Sequence, residues 1–125
     1  MGSGFFVTGT DTGVGKTLIS CALLHAFAAQ GKTVIGMKPV VAGSNDGKWL
    51  DVDQLIAAST IGAERRDINP YSFDAPVSPH IAAQQAGVDI DLAVIRAAYR
   101  KLSIAADIVI VEGLKASKGA GGDAL

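Results

Sequence analysis

Apolar positions fall along this chain in short blocks that switch between strand-like runs and helix-like spacing. Phe5 to Thr8 is an apolar and β-branched run with Gly9 directly behind it, which predicts a buried strand of a parallel sheet. From Lys16 to Gln30 apolar residues recur at Ile19, Leu23 and Phe27, with Leu18, Ala22 and Ala26 beside them. That is the stripe of an amphipathic helix, and Gly31 ends it. Thr33 to Val41 is a second apolar run, but Pro39 has no N–H to give a sheet ladder, so the strand is predicted to stop near Lys38.

Gly43 to Trp49 is a loop by composition, and either Asp51 or Asp53 can cap a helix running through Leu55 and Ile56 to about Ser59. Asp67 to Pro79 holds three prolines and no period, which predicts a surface loop. Pro79 then suits the first position of a short helix over Ile81 to Gln85. Asp91 caps a longer helix in which Leu92, Ile95, Ala98, Tyr99 and Leu102 recur at helical spacing. Ile108, Val109, Ile110 and Val111 form the clearest strand, closed by Glu112 and Gly113.

Strands alternating with helices predict an α/β fold, a parallel sheet flanked by helices with right-handed crossovers. Ligands of such sheets bind outside the carboxyl ends of the strands. Here those ends carry the Gly9 loop, Lys38 and Glu112. One domain over residues 1–113 accounts for this pattern, and residues 114–125, rich in Gly and Lys, read as a mobile tail.

Composition narrows the chemistry. At 125 residues, 49% hydrophobic and 18% charged, with a mean hydropathy of +0.34, the chain is built to bury surface. Eleven Lys and Arg against twelve Asp and Glu give a net charge of −1. Such a chain has no basic field to attract nucleic acid or an anionic membrane, so any phosphate recognition has to be local. Ser20, His25, Gln30 and Lys32 interrupt the most apolar stretch of the first half, which argues against a membrane span. A single cysteine, Cys21, cannot form an internal disulfide, and the default is a reducing cytoplasm.

Gly9-Thr10-Asp11-Thr12-Gly13-Val14-Gly15-Lys16-Thr17 lies between a predicted strand and a predicted helix, where a glycine-rich loop wraps phosphate oxygens in backbone N–H groups. Glycines let the backbone approach an anion and the helix N-terminus adds partial positive charge. Lys16 is a point charge, and the Thr17 hydroxyl can ligate Mg²⁺. Five residues separate Gly9 from Gly15, one more than the usual P-loop spacing. A dinucleotide fingerprint is disfavoured, because its third glycine would fall on Leu18. Glu112, after four apolar strand residues, stands where a Walker B carboxylate holds Mg²⁺ beside a triphosphate, and a solvated strand end is its plainer alternative. Lys38 is either a solvated strand-end lysine or a cation that stabilises charge on a transferred phosphoryl group. Asp53 is explained as well by helix capping as by metal binding. His25 and His80 have no partners at metal-ligand spacing, and Cys21 reads as packing.

Taken in order, Val7 to Thr17, Lys38-Pro39-Val40, Asn69-Pro70-Tyr71, Ser78-Pro79-His80 and Val111-Glu112-Gly113 resemble the dethiobiotin synthetase family from about residue 5 to 113. The longer P-loop is the version that family uses. The resemblance implies Mg²⁺ and ATP-dependent closure of 7,8-diaminononanoate with CO₂ or bicarbonate to dethiobiotin, ADP and phosphate, through a carbamate, by a cytoplasmic homodimer. It assigns Gly13, Val14, Gly15, Lys16, Thr17 and Leu18, with Asp53 and Glu112, to ATP. It assigns Thr17, Asp53 and Glu112 to Mg²⁺, and Thr12, Lys16 and Lys38 to the substrate, with Lys38 as the catalytic residue. Members can carry a serine where this chain has Ala42, and they continue Glu-Gly-Ala-Gly-Gly where this chain reads Glu112-Gly113-Leu114-Lys115-Ala116. Their chains are about twice as long. Another P-loop ligase, a nucleotide-switch ATPase and a phosphate-binding fragment without catalysis stay open as alternatives.

Overall fold

The computed structural model describes residues 2–8 and 13–113. Within them a parallel three-stranded sheet runs in the order β1 (Ser3–Val7), β5 (Ile108–Glu112), β2 (Val34–Met37). The best strand signal in the sequence, β5, takes the centre and is buried along its whole length. β1, expected to be a buried strand, is instead an exposed sheet edge, with Phe5 and Phe6 44% and 47% exposed, because only β5 flanks it. β5 and β2 are covered on both faces and have no solvent side. The alternation along β5 and β2 therefore sorts two apolar sets rather than apolar from polar.

Val34, Ile108 and Ile110 face α1 (Gly13–Ala29) and α2 (Leu50–Ala58), in a cluster that takes in Leu24, Leu55 and Ala58. Ile35, Met37, Val109 and Val111 face the opposite cluster, with Ile68, Ala82, Ile95, Ala98 and Leu102 of α3 (Arg65–Ile68), α4 (Pro79–Ala86) and α5 (Leu92–Ala105). Gly36 sits where α1 and α2 close on β2, and a Cβ there would stand 3.0 Å from Leu55 Cβ and 3.1 Å from Leu24 Cδ1. Thr33 and Asp107 bind each other just ahead of β2 and β5. Thr33 N–H donates to Asp107 Oδ2 at 2.9 Å, and Asp107 N–H donates to Thr33 Oγ1 at 2.8 Å.

Several local expectations are met. Pro39 follows the end of β2, Pro79 opens α4, and Asp91 caps α5 by accepting from Ala93 N–H at 2.8 Å. Others need correction. The segment after Asp67 is not a plain loop. It contains β4 (Tyr71–Phe73), which pairs in parallel with β3 (Val40–Ala42) as a separate two-stranded sheet. Both strands are three residues long, too short to show a period.

The buried stripe of α1 also differs from the predicted one. Thr17, Ser20 and Leu24 point inward, while Leu18 and Ile19 are 73% and 55% exposed. Apolar residues ring this helix, so spacing alone does not choose a face. The choice is made by the hydrogen bond of Thr17 to Glu112 and by Phe27 stacking on Phe5, with ring centroids 5.3 Å apart. The tail at 114–125 lies outside the described residues, as do Gly9 to Thr12. No helix among the described residues is long and apolar enough to cross a membrane.

Candidate active site

Register places the site. Met37 pairs with Val111, so Lys38, the next residue, comes level with Glu112 at the carboxyl edge of the sheet. Period-two alternation from Val34 and Ile108 turns Lys38 and Glu112 to the α1 side. Thr17, in the first turns of α1, meets them there. Thr17 Oγ1 donates to Glu112 Oε1 at 2.8 Å, and Lys38 Nζ donates to Glu112 Oε2 at 2.6 Å. Glu112 is fully buried, so both its oxygens need these donors. Lys16 belongs to the same edge, its Nζ 3.4 Å from the carbonyl of Gly113.

A fourth side chain joins them. Lys38 Nζ also donates to Asp51 Oδ2 at 2.6 Å, so one ammonium bridges two carboxylates. Asp53, the carboxylate expected in the metal set, is not there. It pairs with Arg65 at 2.7 Å, and both of those side chains are nearly half exposed. The physical reason is helical geometry: residues two apart on a helix point about 200° away from each other. Neither aspartate caps α2, whose N-cap is Trp49 without a side-chain hydrogen bond; both lie in the first turn. Asp51 was legible from the stripe it shares with Leu55 and Ala58, four and seven residues on, which face the same side of the sheet.

Asn69, part of a motif to which the sequence assigned no role, fixes Lys38 from behind. Its buried Nδ2 donates to the carbonyls of Lys38 at 2.7 Å and Tyr71 at 3.0 Å, and Lys38 N–H donates to Ile68 O at 2.8 Å. The main chain of Lys38 is thus held on both sides after β2 has ended.

Burial alone would favour a neutral Lys38. The charge of Glu112 and the hydrogen bonds to Asp51 and Glu112 outweigh it and hold the ammonium above the ordinary lysine value. Cys21 stands near the same carboxylate; burial first and then the Glu112 charge push its thiol up.

Among the described residues no group of three or more His, Cys, Asp and Glu gathers around one point. Two carboxylates do gather around Lys38, and the Thr17 hydroxyl binds one of them. Hard oxygen donors of this number suit Mg²⁺, which takes one or two carboxylates and fills its octahedron with water and phosphate.

Of the other expected contacts, Gly13, Val14 and Gly15 open α1. Leu18 turns its side chain outward, so only its main chain can serve a ligand at this edge. Thr12 lies outside the described residues. Ser44 Oγ donates to Asp74 Oδ1 at 2.8 Å, on an exposed loop beyond Ala42.

A parallel sheet with helices on both faces, and a lysine, a threonine and carboxylates at its carboxyl edge, define an α/β domain of the P-loop type. The chain belongs to the AAA domain family, whose model matches residues 3–121. It is 65% identical over 113 residues to the ATP-dependent dethiobiotin synthetase BioD of Nitrosospira multiformis, which covers 90% of this chain and 50% of that protein. It is 51% identical over 114 residues to the protein of that name from Aromatoleum aromaticum (88% and 51%), and 47% identical over 116 residues to that from Xylella fastidiosa (90% and 51%). The chain thus spans about half the length of the curated relatives it matches.

Proposed function

We propose that this chain provides the nucleotide-binding and carbamate-activating part of an ATP-dependent dethiobiotin synthetase. The observation that carries the assignment is the convergence of Thr17, Lys38, Asp51 and Glu112 at the carboxyl edge of the sheet, in a chain 65% identical to a protein of that name. In the reaction, one amine of 7,8-diaminononanoate adds to CO₂, forming a C–N bond and releasing a proton to leave a carbamate. A carbamate oxygen attacks the γ-phosphorus of ATP as the bond to ADP breaks. The second amine then attacks the carbamoyl carbon, loses a proton and expels phosphate, and the cyclic urea is closed.

Chemistry of this kind asks for positioning and for positive charge around anions. The backbone from Gly13 to Leu18 supplies N–H groups at a helix N-terminus, and Lys16 supplies a charge beside them. Thr17, Asp51 and Glu112 would hold the magnesium ion, with Asp51 in the place first expected of Asp53. When bound, such an ion would supply positive charge to the phosphates. Lys38, kept protonated by its surroundings, holds the carbamate against the phosphoryl group it attacks. Thr12 is proposed to contact the substrate, and the resemblance brings with it a cytoplasmic homodimer.

The test is phosphate and dethiobiotin release by this chain, and by this chain joined to the remaining half of the Nitrosospira relative. Release should require diaminononanoate, bicarbonate and Mg²⁺ together, and Lys38→Ala should suppress it while ATP still binds. Unchanged product formation in that variant removes Lys38 from the mechanism.

A further inference from the structure

Lys38 occupies the point where a metal bridging Asp51 and Glu112 would sit. Its Nζ lies 2.6 Å from an oxygen of each, and Thr17 Oγ1 lies 2.8 Å from Glu112 Oε1 and 3.1 Å from Oε2. A magnesium ion needs those same oxygens at about 2.0–2.1 Å, with little tolerance in its octahedron. An ammonium and a divalent ion cannot share one bridging position, and held side by side they repel across a site shut off from water. The cluster is closed on most sides: the Lys38 side chain is 6% exposed and that of Glu112 not at all, against 25% for Asp51. Entry and exit therefore run past Asp51.

We propose that the Lys38 ammonium is the resident cation of the metal-free site, and that magnesium enters only in exchange for it. This rests on the assignment of Thr17, Asp51 and Glu112 to the metal. When no metal is present the one ammonium pairs with both carboxylates, which keeps a buried Glu112 from standing as an unpaired charge. When the metal arrives, the displaced ammonium carries its charge to the anions at the same edge, so metal and anionic ligand each strengthen the other by one common factor. An anion that draws Lys38 outward likewise bares the carboxylates for the metal.

Calorimetric titration of MgCl₂ into the nucleotide-free chain and into Lys38→Met tests this, with a ¹⁵N-lysine NMR titration of the wild type beside it. Expected is magnesium affinity at least about tenfold higher in Lys38→Met. In the wild type, the slowly exchanging Lys38 ammonium signal should give way to fast exchange as magnesium saturates. An affinity equal to or below that of the wild type, in proteins that do bind, overturns the exchange alone. So does a Lys38 signal untouched by saturating magnesium, which decides the matter if Lys38→Met does not fold. Absence of magnesium binding in both proteins, with and without ATP, overturns the exchange together with the metal assignment.

Discussion

Lys38 and Glu112 end neighbouring strands and meet head to head, Nζ to Oε2 at 2.6 Å, with the glutamate fully buried. Removing one member leaves the other as an uncompensated charge in the interior, a larger cost than the net worth of the pair. Lys38→Met should therefore destabilise the chain by about 3 kcal/mol in urea unfolding. Lys38→Met combined with Glu112→Gln should regain most of that loss. A double variant that costs as much as Lys38→Met and Glu112→Gln measured singly and added together would show that the pair is not coupled.

The two aspartates of α2 separate the site from its surroundings. Asp51→Asn should weaken magnesium-nucleotide binding by about tenfold or more. Asp53→Asn removes only an exposed pair with Arg65, worth under about 1 kcal/mol, and should leave that affinity alone. Calorimetry on the two variants checks this, and the reverse ranking would return Asp53 to the metal.

This pair also marks how far the sequence could be read. Lys38 and Glu112 were legible because each ends an apolar run, and the ends of parallel strands share one edge. Asp51 and Asp53 were not separable by the start signals of a helix, since both are acidic residues of a first turn. Only the stripe through Leu55 and Ala58 tells them apart. In α1 the apolar residues go all round, so Leu18 and Ile19 were assigned to a buried side that Thr17, Ser20 and Leu24 hold instead. The pairing of β3 with β4 left no trace, because three residues carry no period. Asn69 stood in a motif, but its work on the Lys38 carbonyl depends on a chain reversal that no local pattern announces.

Thr33 and Asp107 set a pH dependence at the other end of the sheet. The backbone and side-chain hydrogen bonds with Thr33, aided by Lys32, hold the Asp107 carboxyl below its ordinary value. A depressed carboxylate contributes stability above its unfolded value and loses it as pH falls through the folded one. Thr33→Val should move the Asp107 titration back toward the ordinary range, as followed by NMR of its side-chain carboxyl. An unmoved titration would show that the Thr33 side chain has no part in the shift.

Gly36 is a packing constraint. A methyl group there meets Leu55 and Leu24 at 3.0 to 3.1 Å, inside ordinary contact. Overpacking of this kind typically costs about 1–3 kcal/mol, and Gly36→Ala should show it as a lower urea midpoint with an unchanged slope. No change in midpoint would mean that α1 and α2 ride easily over the sheet.

The central claim is that the edge formed by Thr17, Lys38, Asp51 and Glu112 is where this chain grips a magnesium nucleotide, and calorimetric titration of Mg·ATP into wild type and Thr17→Val addresses it most directly. Expected is saturable binding by the wild type and a loss of at least about tenfold in the variant, equivalent to about 1.4 kcal/mol. Equal affinity in the two proteins, or no binding by a folded wild type, would contradict it.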